Sequence, residues 1–241
     1  MSRIRTIGAA SAAAVALTLS GGALAAASGA QPNIVGGTTA PAVSWGAQVY
    51  VKTAGRPFNG FNCSGSVVAA SWVMTAVHCL DSDGSGMFVR VGSNELGGGT
   101  KIEVDKKVKS PNGDIALLHL AQATTAKPIA LGSADPARGT TNQLYGWGRE
   151  TPTGPPAPAL KTTNVRVSGS STDAYGGRAI QSVGINGSAW KGDSGGPEVS
   201  DGKQVGVAST VQNQDGTNTK GTNNYASVAA SRSWIKSTAG V

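Results

Sequence analysis

The stretch AWKGDSGGPEVS, residues 189–200, sets one serine, Ser194, between an aspartate and two glycines. Gly, Asp, Ser and Pro all favour turns, so the plainest reading is an exposed loop. The sharper reading is a nucleophile on a tight, glycine-lined loop. A serine hydroxyl attacks poorly until a base takes its proton, and that base is usually a histidine oriented by a buried carboxylate. The second reading therefore requires the rest of the chain to supply a histidine and an acid.

The sequence holds two histidines, His78 and His119. No histidine follows Ser194. This excludes a serine–acid–histidine order, although Gly192-x-Ser194-x-Gly196 fits the elbow pattern that goes with it. No Asp or Glu precedes His78, so an acid–histidine–serine order could use only His119. The order that remains is His78, Asp114, Ser194. His78 lies in TAVHC, directly after the apolar stretch SVVAASWVMTA. Asp114 opens DIALLHL, where Ile115, Leu117 and Leu120 anchor a strand, and a carboxylate at its mouth is expected to be partly buried. His119 alternates with those apolar positions and is expected to face solvent.

The composition suits a globular fold rich in short strands. Of 241 residues, 39% are hydrophobic and 14% charged, and 35 are glycine, while no long segment keeps a helical period. Short apolar runs recur between turns at 48–52, 66–69, 72–75, 88–91, 115–118, 144–146, 163–167, 179–183 and 205–209. They predict an all-β sandwich or barrel. TPTGPPAPAL at 151–160 reads as an exposed loop. Val228, Ser231, Trp234, Ile235 and Thr238 fall at helical spacing and predict a short C-terminal helix.

The first residues have the pattern of an export signal. Arg3 and Arg5 precede a short apolar stretch, Ile7 to Leu19, and Ala23-Leu24-Ala25 offers a cleavage site. Residues 1–25 are read as a signal peptide, 26–33 as a propeptide and 34–241 as the working domain, so the protein is expected outside the cell. The stretch is too short and alanine-rich for a membrane anchor. In an exported chain Cys63 and Cys79 are expected to pair, closing a loop of about 15 residues for roughly 3 kcal/mol; the alternative is two buried thiols. Residues 1–33 carry two arginines and no acids, which leaves 18 basic against 13 acidic residues, or +5, for the remainder. The main basic run, KIEVDKKVK at 101–109, alternates like a strand with Ile102, Val104 and Val108 on one face, and reads as a solvated strand face rather than a nucleic-acid site. DSDGSG at 81–86 lacks the ligand spacing of a calcium loop. Two histidines and two cysteines expected to be bridged leave no zinc ligand set. No metal or cofactor is expected.

Five motifs then occur in order: IVGG (34–37), TAVHC (75–79), DIALL (114–118), YGWG (145–148) and GDSGGP (192–197). Together they resemble the trypsin/chymotrypsin family of secreted serine endopeptidases, of a single-disulfide, bacterial type, over essentially all of 34–241. The resemblance implies two antiparallel six-stranded β-barrels, about 34–130 and 131–241, with the active site between them. It implies His78 as base, Asp114 as its orienter, Ser194 as nucleophile, and the N–H groups of Gly192 and Ser194 as an oxyanion hole. It also implies that Asp193 pairs with the amino terminus freed by cleavage before Ile34. That cleavage would follow Asn33, so a trypsin-like activator is not implied. Cys63 and Cys79 match the family's bridge beside the histidine, whereas Trp190 stands where a cysteine normally staples the pocket wall. Ser188 falls at the base of the specificity pocket, and Ser209, Thr210 and Val211 form its substrate-binding strand. Serine at 188 supplies no carboxylate for Lys or Arg, and Val211 and Asn223 replace wall glycines. The expected substrates are therefore proteins or peptides with a small or medium uncharged P1 residue, with Lys191 near the mouth favouring acidic groups nearby. Protein protease inhibitors would use the same cleft. Neither nucleic acid nor membrane is an expected partner, and a monomer is expected. Two other readings stay open on sequence: an inactive homologue used for binding, and an esterase using the same triad.

Overall fold

The structure is a computed structural model. It describes Met1, residues 34–213 and residues 215–241, so the expected signal and spacer segments lie outside the described residues. Fourteen strands follow in chain order. The first seven are β1 (Thr38–Thr39), β2 (Gly46–Val51), β3 (Phe61–Ala69), β4 (Trp72–Thr75), β5 (Met87–Val91), β6 (Thr100–Lys109) and β7 (Ala116–Leu120). The next seven are β8 (Ala130–Leu131), β9 (Thr141–Gly146), β10 (Lys161–Thr172), β11 (Arg178–Gly184), β12 (Pro197–Ser200), β13 (Lys203–Gln212) and β14 (Thr222–Ser227).

Strands β2-β3-β4-β7-β6-β5 close into one antiparallel barrel. In the other sheet β10-β11-β14-β13-β12-β9 follow one another, and pairing of β10 with β9 closes a second six-stranded barrel. Closure needs strongly bent strands, and bulges supply the bend between Val104 and Lys106, Val167 and Gly169, and Ala208 and Thr210. The alternation in MFVRV puts Met87, Val89 and Val91 inside the first barrel while Phe88 and Arg90 are half-exposed. Two short strands cross the simple division of the chain. β1 pairs with β10, and β8 runs parallel to β13, so both ends of the first barrel's segment are tied to the second.

The C-terminal helix spans Val228–Ala239 and buries Val228, Ser231 and Ile235. The Ser227 side chain caps it by accepting from the Ala230 N–H, and Gly240 ends it at φ +78. The proline-rich loop is exposed at Thr151, Pro152, Thr153, Pro155 and Pro158. From Pro156 it packs down, with Ala157 and Leu160 fully buried and Leu160 N–H donating to Asn94 O. β12 and β14 fall outside the apolar runs read from sequence. The reason is chemical: their inward positions include Glu198, Asn223 and Asn224, which are buried but polar.

Candidate active site

His78 sits in a single 3₁₀ turn, Val77–Cys79, that follows β4. Asp114 lies just before β7, which pairs with β4, so adjacent strands carry the two residues to one end of the first barrel. The Asp114 carboxylate is fully buried and its oxygens are fully committed. Oδ1 accepts the His78 backbone N–H at 3.1 Å, and Oδ2 lies 2.7 Å from His78 Nδ1. Oδ2 also accepts the Ser209 hydroxyl at 2.7 Å. An ionised carboxylate only accepts, so Nδ1 carries the proton of the neutral ring and Nε2 is left with the lone pair of a base.

Ser194 is brought to the same place from the second barrel. Its carbonyl accepts the Ser64 N–H at 2.9 Å, and Ser64 is next to Cys63 on β3. Cys63 is bonded to Cys79, the neighbour of His78, and Asn62 Nδ2 donates to Cys79 O at 2.9 Å. Gly195 presses on Thr75 and Ala76, and a Cβ there would strike the Thr75 hydroxyl. The loop that carries Ser194 and the histidine turn are thus packed on one short section of β3 and β4. Ser194 Oγ itself makes no hydrogen bond among the described residues. The disulfide also brings both sulfurs and His78 to within 4.8 Å of one another. Bridged sulfurs are not thiolates, so this trio is no metal ligand set.

Gly192 has φ +101, a region closed to most side chains, and its carbonyl is fixed by the Ser64 hydroxyl at 2.9 Å. The N–H groups of Gly192 and Ser194 meet no protein acceptor among the described residues. Asp193 between them is buried. Its carboxylate accepts the N–H groups of Trp190 and Gly148, each at 2.8 Å. A Cβ at Gly146 or Gly148 would strike that carboxylate, which gives the glycines of YGWG a reason. Burial pushes the Asp193 carboxyl up to about 7, against the pull of those two N–H bonds. Ile34 is also fully buried, but in the uncut chain its nitrogen is a peptide amide. Asp193 forms no ion pair among the described residues.

Beside Ser194 a small cavity of about 20 Å³ is walled by residues that include Trp190, Ser209, Thr210, Val211 and Tyr225. Ser188 is buried and does not line it. Its hydroxyl donates to Asn218 O at 2.7 Å and receives Asn213 Nδ2 at 2.9 Å. Asn223 is fully buried, with Oδ1 accepting the Ala189 N–H at 2.9 Å and Nδ2 donating to Gly221 O at 3.0 Å. Where a disulfide was expected to be missing, the Trp190 indole packs so closely on Gly216 that a Cβ there would meet it.

The chain matches the Trypsin family model over residues 34–235. It belongs to the trypsin family of serine endopeptidases. Trypsin alpha of Drosophila melanogaster is 32% identical over 229 residues, covering 86% of this chain and 87% of the relative. Trypsin beta of Drosophila erecta is 34% identical over 225 residues, covering 84% and 87%. A solved structure of human heparin binding protein superposes with a TM-score of 0.71 at 24% identity, over 86% of this chain and 96% of that one. Neuropsin, a serine protease of mouse brain, gives 0.71 at 24%, over 84% and 98%. At such identity these two speak for the fold.

Two groups of residues had no separate signal in the sequence. Asp173, in the β10–β11 turn, accepts the Asp114 N–H at 2.9 Å and also the N–H groups of Tyr175 and Gly177. The turn DAYGG is legible locally, but its target lies 59 residues away. Asn213 and Asn218 tie the pocket loop by Asn218 N–H to Asn213 Oδ1 at 3.0 Å, again a contact made by folding.

Proposed function

We propose that this trypsin-family protease is exported as a zymogen, is activated by cleavage before Ile34, and cuts peptide bonds after small uncharged residues. Ser194 Oγ attacks the scissile carbonyl as His78 Nε2 takes its proton. The tetrahedral oxyanion is received by the free N–H groups of Gly192 and Ser194, each worth on the order of 3 kcal/mol in the transition state. His78 then passes the proton to the leaving amine, and water repeats the sequence on the acyl-enzyme. Asp114 holds the ring tautomer and stabilises the imidazolium.

The observation that carries the P1 reading is the cavity beside Ser194. About 20 Å³ is near the space of one water molecule, and no carboxylate lines it. The relatives' name favours the other reading, cleavage after Lys or Arg. Against it stands the Ser188 hydroxyl, which is buried and already bonded twice.

The deciding experiment uses the chain cut before Ile34 with a phosphonylating serine reagent and a P1-varied peptide library. Stoichiometric labelling, abolished in Ser194→Ala, with turnover highest for Ala or Gly at P1, is the expected result. Labelling with best turnover after Lys or Arg overturns the P1 reading. Absence of labelling overturns the catalytic one.

A further inference from the structure

We infer that the cleft at Gly192, which shares no lining residue with the P1 cavity, selects an acidic residue two positions after the scissile bond. This deepens the acyl-transfer reading above and rests on it. The cleft encloses about 190 Å³ and is bounded by Phe58, Phe61 and Gly192, with three cations at its wall: Arg56, Arg149 and Lys191. Among the described residues none of the three forms an ion pair. The carboxylate next in sequence, Glu150, is turned to Lys161 at 3.5 Å. Three like charges around one hollow repel each other unless an anion joins them.

The backbone of the cleft carries a second signal. Phe58, Asn59 and Gly60 have φ of +55, +54 and +87. Two consecutive non-glycine residues in the left-handed region are strained, and such strain gathers at ligand-contacting segments. Here it holds Phe58 at the surface, 39% exposed, with the Arg149 guanidinium 5.7 Å from its ring. The ring steadies the cation while leaving its N–H fork free. Lys191 lies 5.5 Å from the Trp190 ring and one residue from the oxyanion donor Gly192, so this charge is close to the reacting carbonyl.

Alternation along the substrate assigns the position. Side chains of an extended peptide point to opposite sides in turn. The leaving amine must face His78, so the first residue beyond the bond is directed to the His78 side. There a cavity of about 390 Å³ shares Arg56 and Asn62 with the cleft and adds His78, Asp81 and Asp83 to its lining. Asp83 offsets Arg56 there and Lys107 pairs with Asp81, so that side has no cationic excess to draw an acid. The second residue then points back toward the Gly192 cleft and its three cations.

The test uses the chain cut before Ile34 and quenched peptides of one sequence, with Asp, Ala or Lys at the first or second position after the bond. Asp at the second position is expected to raise kcat/KM over Ala about tenfold, the equivalent of 1.4 kcal/mol. The gain should shrink as salt is raised, and Asp at the first position should bring none. In Arg149→Glu the Asp-to-Ala ratio at the second position should fall to about one or invert, and Arg56→Glu provides an independent second variant. A ratio near one in the unmodified enzyme overturns this inference and leaves the catalytic reading standing. If peptides are not cut at all, that reading fails instead. Binding of the same Asp and Ala peptides to Ser194→Ala then reads the cleft alone: tighter Asp binding supports it, and equal binding overturns it.

Discussion

Asp173 reaches across from the second barrel to hold the first barrel's acid, its Oδ2 accepting the Asp114 N–H at 2.9 Å. The same turn presents the Ala174 N–H to Ser209 Oγ at 3.0 Å, and Ser209 donates to Asp114 Oδ2. The turn therefore holds the Asp114 backbone directly and its carboxylate through Ser209 of β13. Removing an acceptor of this kind leaves a buried N–H without a partner, at about 1–3 kcal/mol. Asp173→Ala should lower kcat on the order of tenfold, as small misplacements of catalytic groups do, with a smaller change in KM. Asp173→Asn keeps an acceptor oxygen and should recover most of kcat. Equal losses in both variants, following their thermal stability, would reduce Asp173 to a structural residue.

Val211 lines the P1 cavity, and Asn223 lies behind it, holding the N–H of Ala189, which also lines it. Asn223→Gly or Val211→Gly should raise kcat/KM for Leu or Phe at P1 relative to Ala by about tenfold or more, since filling apolar space is worth roughly 1–3 kcal/mol per methylene-sized step. Asn223→Gly also strips the Ala189 N–H of its acceptor and should lower Tm. Val211→Gly removes no such bond, so it tests the pocket if the first variant folds poorly. An unchanged P1 ranking in both would mean the cavity is not what sets the preference.

The Cys63–Cys79 bridge joins the strand that holds Ser194 to the turn that holds His78. Replacing both cysteines by serine should cost about 3 kcal/mol of stability, as expected for a closed loop of this size. Calorimetry should show the lower Tm. At temperatures where the variant is folded, kcat should still fall while KM changes less, because the strand and the turn are freed relative to each other. A Tm loss with unaltered kcat would confine the bridge to stability.

The three residues proposed as the triad are each marked in the sequence by their own neighbours. Apolar residues precede TAVHC, an alternating strand follows Asp114, and glycines surround Ser194. The all-β class was visible in short apolar runs between turns, whereas the two six-stranded barrels followed from the resemblance carried by the five motifs. What escaped sequence reading is polar and long-range. β12 and β14 carry buried Glu198, Asn223 and Asn224 where an apolar pattern was sought. The bonds from Asp173 to Asp114 and from Asn213 to Ser188 form only when segments 59 and 25 residues apart meet. No local propensity records such a bond.

Asp193 and Glu198 make the uncut chain's stability depend on pH in a definite direction. Burial pushes both carboxyls up to about 7. For Glu198 the bond from Asn142 opposes that push, and the negative charge of Asp135 adds to it. Below about pH 4 both groups are protonated, folded or unfolded, and neither affects stability. Between about pH 4 and 7 the unfolded chain releases these protons while the folded chain keeps them, so stability falls as pH rises. Above about 7 the loss is complete, at roughly 3–4 kcal/mol for each group. Cleavage before Ile34 would create an ammonium group, and pairing with Asp193 would return that group's share while the amine stays protonated, up to about pH 8. The cut form should therefore gain Tm over the uncut form increasingly from pH 5 to 7. Glu198→Gln should flatten its own share in both forms. A Tm difference between cut and uncut chains that does not vary with pH would remove Asp193 as the partner of the new terminus.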